Sequence, residues 1–144
     1  MSPSFKSIKV GDAPAPLVCG PLNRTQFVRY AGASHDFNPN HHDEVYALAN
    51  GNKAVFGMGM LAGGFCARLL TDWLGDGSLR RLRIRFQSRF WPGDVLTCTA
   101  RVAAKRESDG ANPKGMGLVD CEFSAVNQAG EVIIRGDATA AVPP

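Results

Sequence analysis

Residues 58–77, MGMLAGGFCARLLTDWLGDG, decide the fold. Met58, Leu61, Phe65, Leu69 and Trp73 recur every three or four positions, the spacing that lines one face of an α-helix, and Gly75 and Gly77 end the run. The side chains between them are small. Gly59, Gly63 and Gly64 each cost about 1 kcal/mol relative to alanine inside a helix, and Ala62 and Ala67 add little bulk. A helix that sacrifices so much propensity must be approached closely by something else, so the stretch predicts a helix wrapped tightly by a sheet.

The sheet is legible downstream. In RRLRIRFQSRF (80–90) the period changes from 3.6 to two: Leu82, Ile84 and Phe86 alternate with Arg81, Arg83 and Arg85, the pattern of a strand with one buried face. The segment WPGD (91–94) makes a turn, and VLTCTARVAAKRE (95–107), rich in Val and Thr, follows as a strand. After a loop at 108–115 come MGLVDCEFSAV (116–126), a turn at Asn127–Gly130, and EVIIRGDATAAV (131–142). Upstream, FKSIKV (5–10) reads as a short strand, and residues 11–16 as a turn-rich connection. Asn23 and Gln26 have the spacing of a capping box, ahead of a helix with Phe27, Tyr30 and Ala31 on its apolar face. A second short helix is expected from about Asp43 through Val45 and Leu48 to Asn50-Gly51. Strand, helices, then four strands in series joined by short turns predict an α+β fold: an antiparallel sheet with helices on one face.

Composition sets the frame. The chain has 144 residues, 44% of them hydrophobic, which suits one domain spanning 1–144, with no internal repeat or linker. Its 16 basic and 13 acidic residues give a net charge of +3 with no block of five like charges, against a nucleic-acid partner. The four cysteines stand apart in apolar contexts and read as reduced core residues of a cytoplasmic protein. No stretch has the length of a signal-peptide core or a membrane span, so a soluble, intracellular chain is expected.

Between the first two helices lies a polar knot, ASHDFNPNHHD (33–43), which holds all three histidines. One reading makes Asp36, Asn38 and Asp43 turn and capping residues around Pro39. A zinc site is not expected, because no HExxH or CxxC spacing accompanies the histidines. A third reading is acid/base chemistry: Asp36 and His41 lie five residues apart across a proline bend and can converge on one water. FGMGML (56–61) supplies the complementary part, since the start of a helix offers unpaired N–H groups and glycine at 57 or 59 lets a carbonyl oxygen come close.

Asp36-x-Asn38-Pro39-x-His41, an acid at Asp43, GMGMLAGG (57–64), the PGD turn (92–94) and the closing hairpin NQAGEVIIRGDATAAV (127–142) together resemble the MaoC-like (R)-specific enoyl-CoA hydratases. The resemblance covers nearly the whole chain. It implies a hot-dog fold, a homodimer or a heterodimer with a related chain, and no cofactor. It also implies hydration of a trans-2-enoyl thioester of coenzyme A or acyl carrier protein, or the reverse dehydration. Asp36 and His41 would activate the water, Asn38 would orient the pair, the Gly59 N–H would hold the thioester oxygen, and Gly57, Met58 and Met60 would contact the substrate. Two positions depart from the family pattern: His35 stands where glycine is common, and Met58 where histidine is common. The small residues from 57 to 64 and the flexible Met58 suggest an apolar acyl tail. Arg81, Arg83 and Arg85 would meet the phosphates of coenzyme A or form the wet face of a strand, and Trp91 reads as packing. A hot-dog thioesterase and a subunit that only shapes a partner's acyl tunnel are the alternatives.

Overall fold

Among the described residues, 2–107 and 115–144 of the computed structural model, five strands form one antiparallel sheet. They are β1 (Leu17–Cys19), β2 (Leu79–Phe86), β3 (Leu96–Arg106), β4 (Gly117–Val126) and β5 (Val132–Val142), in the order β1-β3-β4-β5-β2. Between β1 and β2 in sequence lie α1 (Arg24–Ser34), a single 3-10 turn (Pro39–His41), α2 (Glu44–Ala49) and the long α3 (Gly59–Leu74). The loop expected at 108–115 lies, apart from Gly115, outside the described residues.

Alternation sends Leu96, Cys98, Ala100 and Val102 of β3, and Cys121, Phe123 and Ala125 of β4, into the core, where α3 lays Leu61, Ala62, Cys66, Leu69, Leu70 and Leu74 against them. The buried stripe of α3 is therefore rotated from the expected one: Phe65 and Trp73 are only half-buried, at its margins. Each large apolar side chain sequestered here contributes about 2 kcal/mol of transfer free energy.

The close approach required by the glycine-rich helix comes from β2. A Cβ on Gly63 would stand 2.6 Å from Ile84 Cδ1, and one on Gly59 would stand 2.5 Å from Phe86 Cδ1, so alanine at either site would press on the strand. Gly64 faces open space and has no such reason.

Four sequence expectations change. FKSIKV forms no strand: Phe5 and Ile8, three residues apart, lie in a turn, with the Phe5 N–H on the Pro143 carbonyl (2.6 Å) and Ile8 buried. The first strand is instead Leu17–Cys19, three residues paired to β3 and too short to show a period. The WPGD turn forms, its Asp94 N–H donating to Trp91 O at 3.0 Å, but it does not join neighbours: β4 and β5 separate β2 from β3. Residues 87–95 cross the end of the sheet, tethered by Gln87 to Ile133 O and by Gly93 to Leu22 O. Finally, the apolar side of β2 is incompletely covered. β2 is an edge strand, and Phe86 remains 59% exposed and Leu82 36%. On α2, likewise, Ala47 is buried while Val45 and Leu48 face outward.

Candidate active site

The polar knot is built by a relay of local caps. The Asn23 side chain accepts from Gln26 N–H (3.0 Å) and the Gln26 carbonyl oxygen Oε1 accepts from Asn23 N–H (2.8 Å), so α1 starts at the predicted capping box. α1 ends at Ser34, and His35 turns the chain in the left-handed region (φ 58°, ψ 20°). Asp36 Oδ1 then accepts the Asn38 N–H (3.3 Å), Asn38 Oδ1 accepts the Asn40 N–H (3.0 Å), and Asp43 Oδ1 accepts the Tyr46 N–H (3.1 Å) to cap α2. The turn-and-cap reading of Asp36, Asn38 and Asp43 is thus realised, and Asp36 is the residue it shares with the acid/base reading. The left-handed turn explains why glycine would suit position 35, since a Cβ there costs about 1–2 kcal/mol. His35→Gly should accordingly raise the melting temperature by a few degrees in a thermal unfolding scan. An equal or lower value would show that the edge-on contact of His35 with Phe37 (6.0 Å) outweighs the strain.

Pro39 opens the 3-10 turn and delivers His41 into a nearly buried position, 7% exposed. His41 Nδ1 lies 2.7 Å from the Phe56 carbonyl oxygen. A carbonyl only accepts, so Nδ1 carries the hydrogen, and Nε2 of the neutral ring presents a lone pair. Nε2 is 3.6 Å from Asp36 Oδ2, too long for a hydrogen bond between them. A water about 2.8 Å from each can donate to both from the apex of that triangle. Asp36 is half-exposed above the buried imidazole, so the pair opens to one side. Burial first, and the Asp36 carboxylate second, push the Tyr30 phenol up, which places that ring in the same electrostatic environment. His35 and His42 stay exposed outside the pair, His42 Nε2 lying 3.3 Å from Phe37 O.

The carbonyl that holds His41 belongs to the segment running straight into α3. Met58 precedes the first turn without a side-chain cap, and its carbonyl takes the Leu61 N–H (2.9 Å), so the donors the helix start can offer another partner are those of Gly59 and Met60. Gly57 is buried with its N–H on Phe90 O (2.9 Å), and a Cβ there would fall on the Phe90 ring. Met58 is 2% exposed within the core cluster, while Met60 is 48% exposed. The space expected from the small residues is therefore filled by Phe90, Phe86 and Ile84 rather than left open, except beside Gly64.

The arginine row stands elsewhere. Arg81 and Arg83 pair with Asp137 (3.6 and 2.8 Å) on the sheet face opposite Ile84 and Phe86. Two cations that the sequence reading passed over lie on the aromatic residues that lead away from His41: Arg89 is 5.0 Å from the centre of the Phe56 ring, and Lys53 4.5 Å from that of Trp91. His41, Phe56 and Trp91 form a continuous edge-to-face run, with centroids 4.9 and 6.0 Å apart, so Trp91 packs as expected. The signal available in sequence was a cation near each aromatic residue, which carries little information without the fold.

Among the described residues no three His, Cys, Asp or Glu side chains are grouped to hold a metal. The four cysteines are not joined in disulfides; burial pushes the Cys121 thiol up to about 12 and also raises that of Cys19. No helix among the described residues is long and apolar enough to cross a membrane.

An antiparallel sheet curled around one long helix, with an acid and an imidazole meeting beside the helix start, is a hot-dog fold. Residues 7–118 match the family described as MaoC like domain, and the chain belongs to that family. It is 30% identical over 141 residues to the (R)-specific enoyl-CoA hydratase of Rhodospirillum rubrum, covering 96% of this chain and 91% of that one. Over 81 residues it is 32% identical to the 3-oxo-4,17-pregnadiene-20-carboxyl-CoA hydratase beta subunit of Mycobacterium tuberculosis, covering 56% of this chain and 63% of the relative. The solved structure of the (R)-hydratase from A. caviae involved in PHA biosynthesis superposes with a TM-score of 0.82 at 25% identity, covering 96% of this chain and 99% of the other.

Proposed function

We propose that the protein is a hydro-lyase that adds water to a trans-2-enoyl thioester of coenzyme A or acyl carrier protein, giving the (R)-3-hydroxyacyl thioester, or runs the reverse dehydration. The observation that carries this reading is the fixed tautomer of His41: with Nδ1 committed to Phe56 O, Nε2 and the Asp36 carboxylate face one water position. The water oxygen bonds to C3 of the substrate as the C2–C3 π pair moves into the thioester, and the Gly59 N–H stabilises the enolate oxygen that forms. The proton taken by the pair from water is returned to C2, so the site is restored without a cofactor. Asn38 orients the pair, and of the substrate-binding segment Gly57, Met58 and Met60, only Met60 faces outward to meet the substrate, with Gly57 and Met58 supporting it from the core. The exposed Met60 and Phe86 offer apolar surface to the acyl tail. The whole chain, 1–144, is read as a single MaoC-like hot-dog domain, and its free thiols suit the cytoplasm.

Incubation of the purified protein with crotonyl-CoA, following loss of the conjugated thioester absorbance against free thiol release, tests this directly. Absorbance loss without thiol defines a hydratase, thiol release a thioesterase. Neither reaction without a second chain points to a hetero-oligomer, the reading that the likeness to a hydratase beta subunit supports.

The carrier's anionic head is read as docking on Lys53 and Arg89 instead of the arginine row. Replacing both with alanine should raise KM for crotonyl-CoA about three- to tenfold at constant kcat and leave KM for crotonyl-pantetheine unchanged. An equal rise for both substrates would remove the assignment.

The second copy is read as covering the outer edge of β2, the end strand of the sheet, where Leu82 and Phe86 stay exposed. Light scattering on dilute protein should give a dimer, and Phe86→Arg should shift it toward monomer. A stable wild-type monomer with full hydratase activity would refute the assembly.

A further inference from the structure

We propose that Asn52, acting through Asn40, is a positioning residue that holds Asn38 in one amide orientation and sets the spacing of Asp36 and His41. The inference rests on the site reading above. The Asn40 backbone N–H donates to Asn38 Oδ1 at 3.0 Å, and a backbone N–H has no alternative role, so Oδ1 of Asn38 must be the atom facing Asn40. Asn40 Nδ2 donates to that same Oδ1 at 3.1 Å, which turns Asn40 Oδ1 the other way. There it accepts from Asn52 Nδ2 at 3.1 Å, and Asn52 is buried, 9% exposed. One backbone donor thus sets the polarity of three amides in series, from Asn52 to Asn40 to Asn38.

The chain also closes on the catalytic pair. The Asn38 N–H donates to Asp36 Oδ1 (3.3 Å), Asp36 Oδ2 faces His41 Nε2 (3.6 Å), and His41 Nδ1 donates to Phe56 O. The Phe56 N–H returns to the Asn40 carbonyl (3.2 Å). Asn40 therefore ties the turn that carries the acid and the imidazole to the segment that leads into α3. Asn52 secures Asn40 from the buried side, and its own N–H is anchored on Ala47 O at 3.1 Å. With Oδ1 of Asn38 doubly engaged, its Nδ2 is the end left to address the water and the substrate, as a donor.

Asn52→Leu removes the donor at similar size, and Asn52→Asp keeps the shape but turns an acceptor toward Asn40 Oδ1. The expected result is a kcat lowered about 10- to 100-fold with crotonyl-CoA, KM within about twofold, and the larger loss in Asn52→Asp. Asn38→Ala combined with Asn52→Leu should be slowed by less than the product of the two single losses, because part of the effect of Asn52 passes through Asn38. Crystal structures of the two Asn52 variants provide a readout independent of turnover: the Asp36–His41 separation should depart from 3.6 Å. An unchanged separation, additive losses in the double variant, or a rise in KM at constant kcat would overturn the inference, and Asn52→Asp carries the test if the leucine variant does not fold. Inactive wild type on every enoyl thioester would overturn the site reading instead, with the separation still deciding the role of Asn52. Activity abolished by Asp36→Asn but intact in both Asn52 variants would overturn only this inference.

Discussion

Asp36→Asn and His41→Ala should each lower turnover of an enoyl thioester by about 100- to 10,000-fold while the circular dichroism spectrum stays that of the wild type. The size follows from what each change removes. Asparagine keeps the turn, since its Oδ1 can still accept the Asn38 N–H, but it replaces the carboxylate that draws on the water. Alanine at 41 removes the Nε2 lone pair and also leaves the Phe56 carbonyl without its imidazole donor. Because both groups act on one water, the double variant should be scarcely slower than the worse single one. Rates within a few-fold of wild type in either folded variant would sink the assignment, whatever the relatives do.

Gly57→Ala should lower the unfolding free energy by about 1–3 kcal/mol, readable as a melting temperature down by several degrees. Its Cβ would fall on the ring of Phe90, which is 1% exposed and packs edge-to-face on Phe27 at 5.7 Å, so the ring has no free space to enter. The backbone is pinned too, by the Gly57 N–H on Phe90 O. Phe90→Leu in the same chain should recover part of the loss by vacating that volume. Wild-type stability in Gly57→Ala alone would show that the contact relaxes freely. Since this segment also carries the His41 anchor and the start of α3, the alanine variant should lose activity along with stability, whereas Asp36→Asn, which keeps the hydrogen bond of the turn, should lose activity only.

Much of the fold is legible in the chain because its signals are local. The α1 capping box, the Asp43 cap, the alternation in β3 to β5 and the close approach to Gly59 and Gly63 all depend on neighbours in sequence or on one missing side chain. The misreadings share a different cause. FKSIKV reads as a short strand, yet its apolar Phe5 and Ile8, three apart, do not share one strand face and sit in a turn region instead; Leu17–Cys19 pairs with β3 although three residues show no period. WPGD is a true turn whose flanking strands are not neighbours, because strand order depends on how residues 87–95 cross the sheet.

The site divides in the same way. By itself the sequence determined which groups stand in the turn, Asp36, Asn38 and His41, because proline and the Asx caps act within five residues. Tertiary structure alone decided what those groups are. It committed Nδ1 of His41 to a carbonyl 15 residues away, set Asp36 Oδ2 3.6 Å from Nε2, and drew Asn52 against Asn40 across 12 residues. It also filled the room beside Gly57 with Phe90, paired Arg81 and Arg83 with Asp137, and laid Lys53 and Arg89 over the Trp91 and Phe56 rings. The physical reason is range: caps and periodicity are satisfied within a turn or two of chain, whereas tautomer, amide polarity and charge pairing depend on partners that only the folded sheet and helix bring within hydrogen-bonding distance.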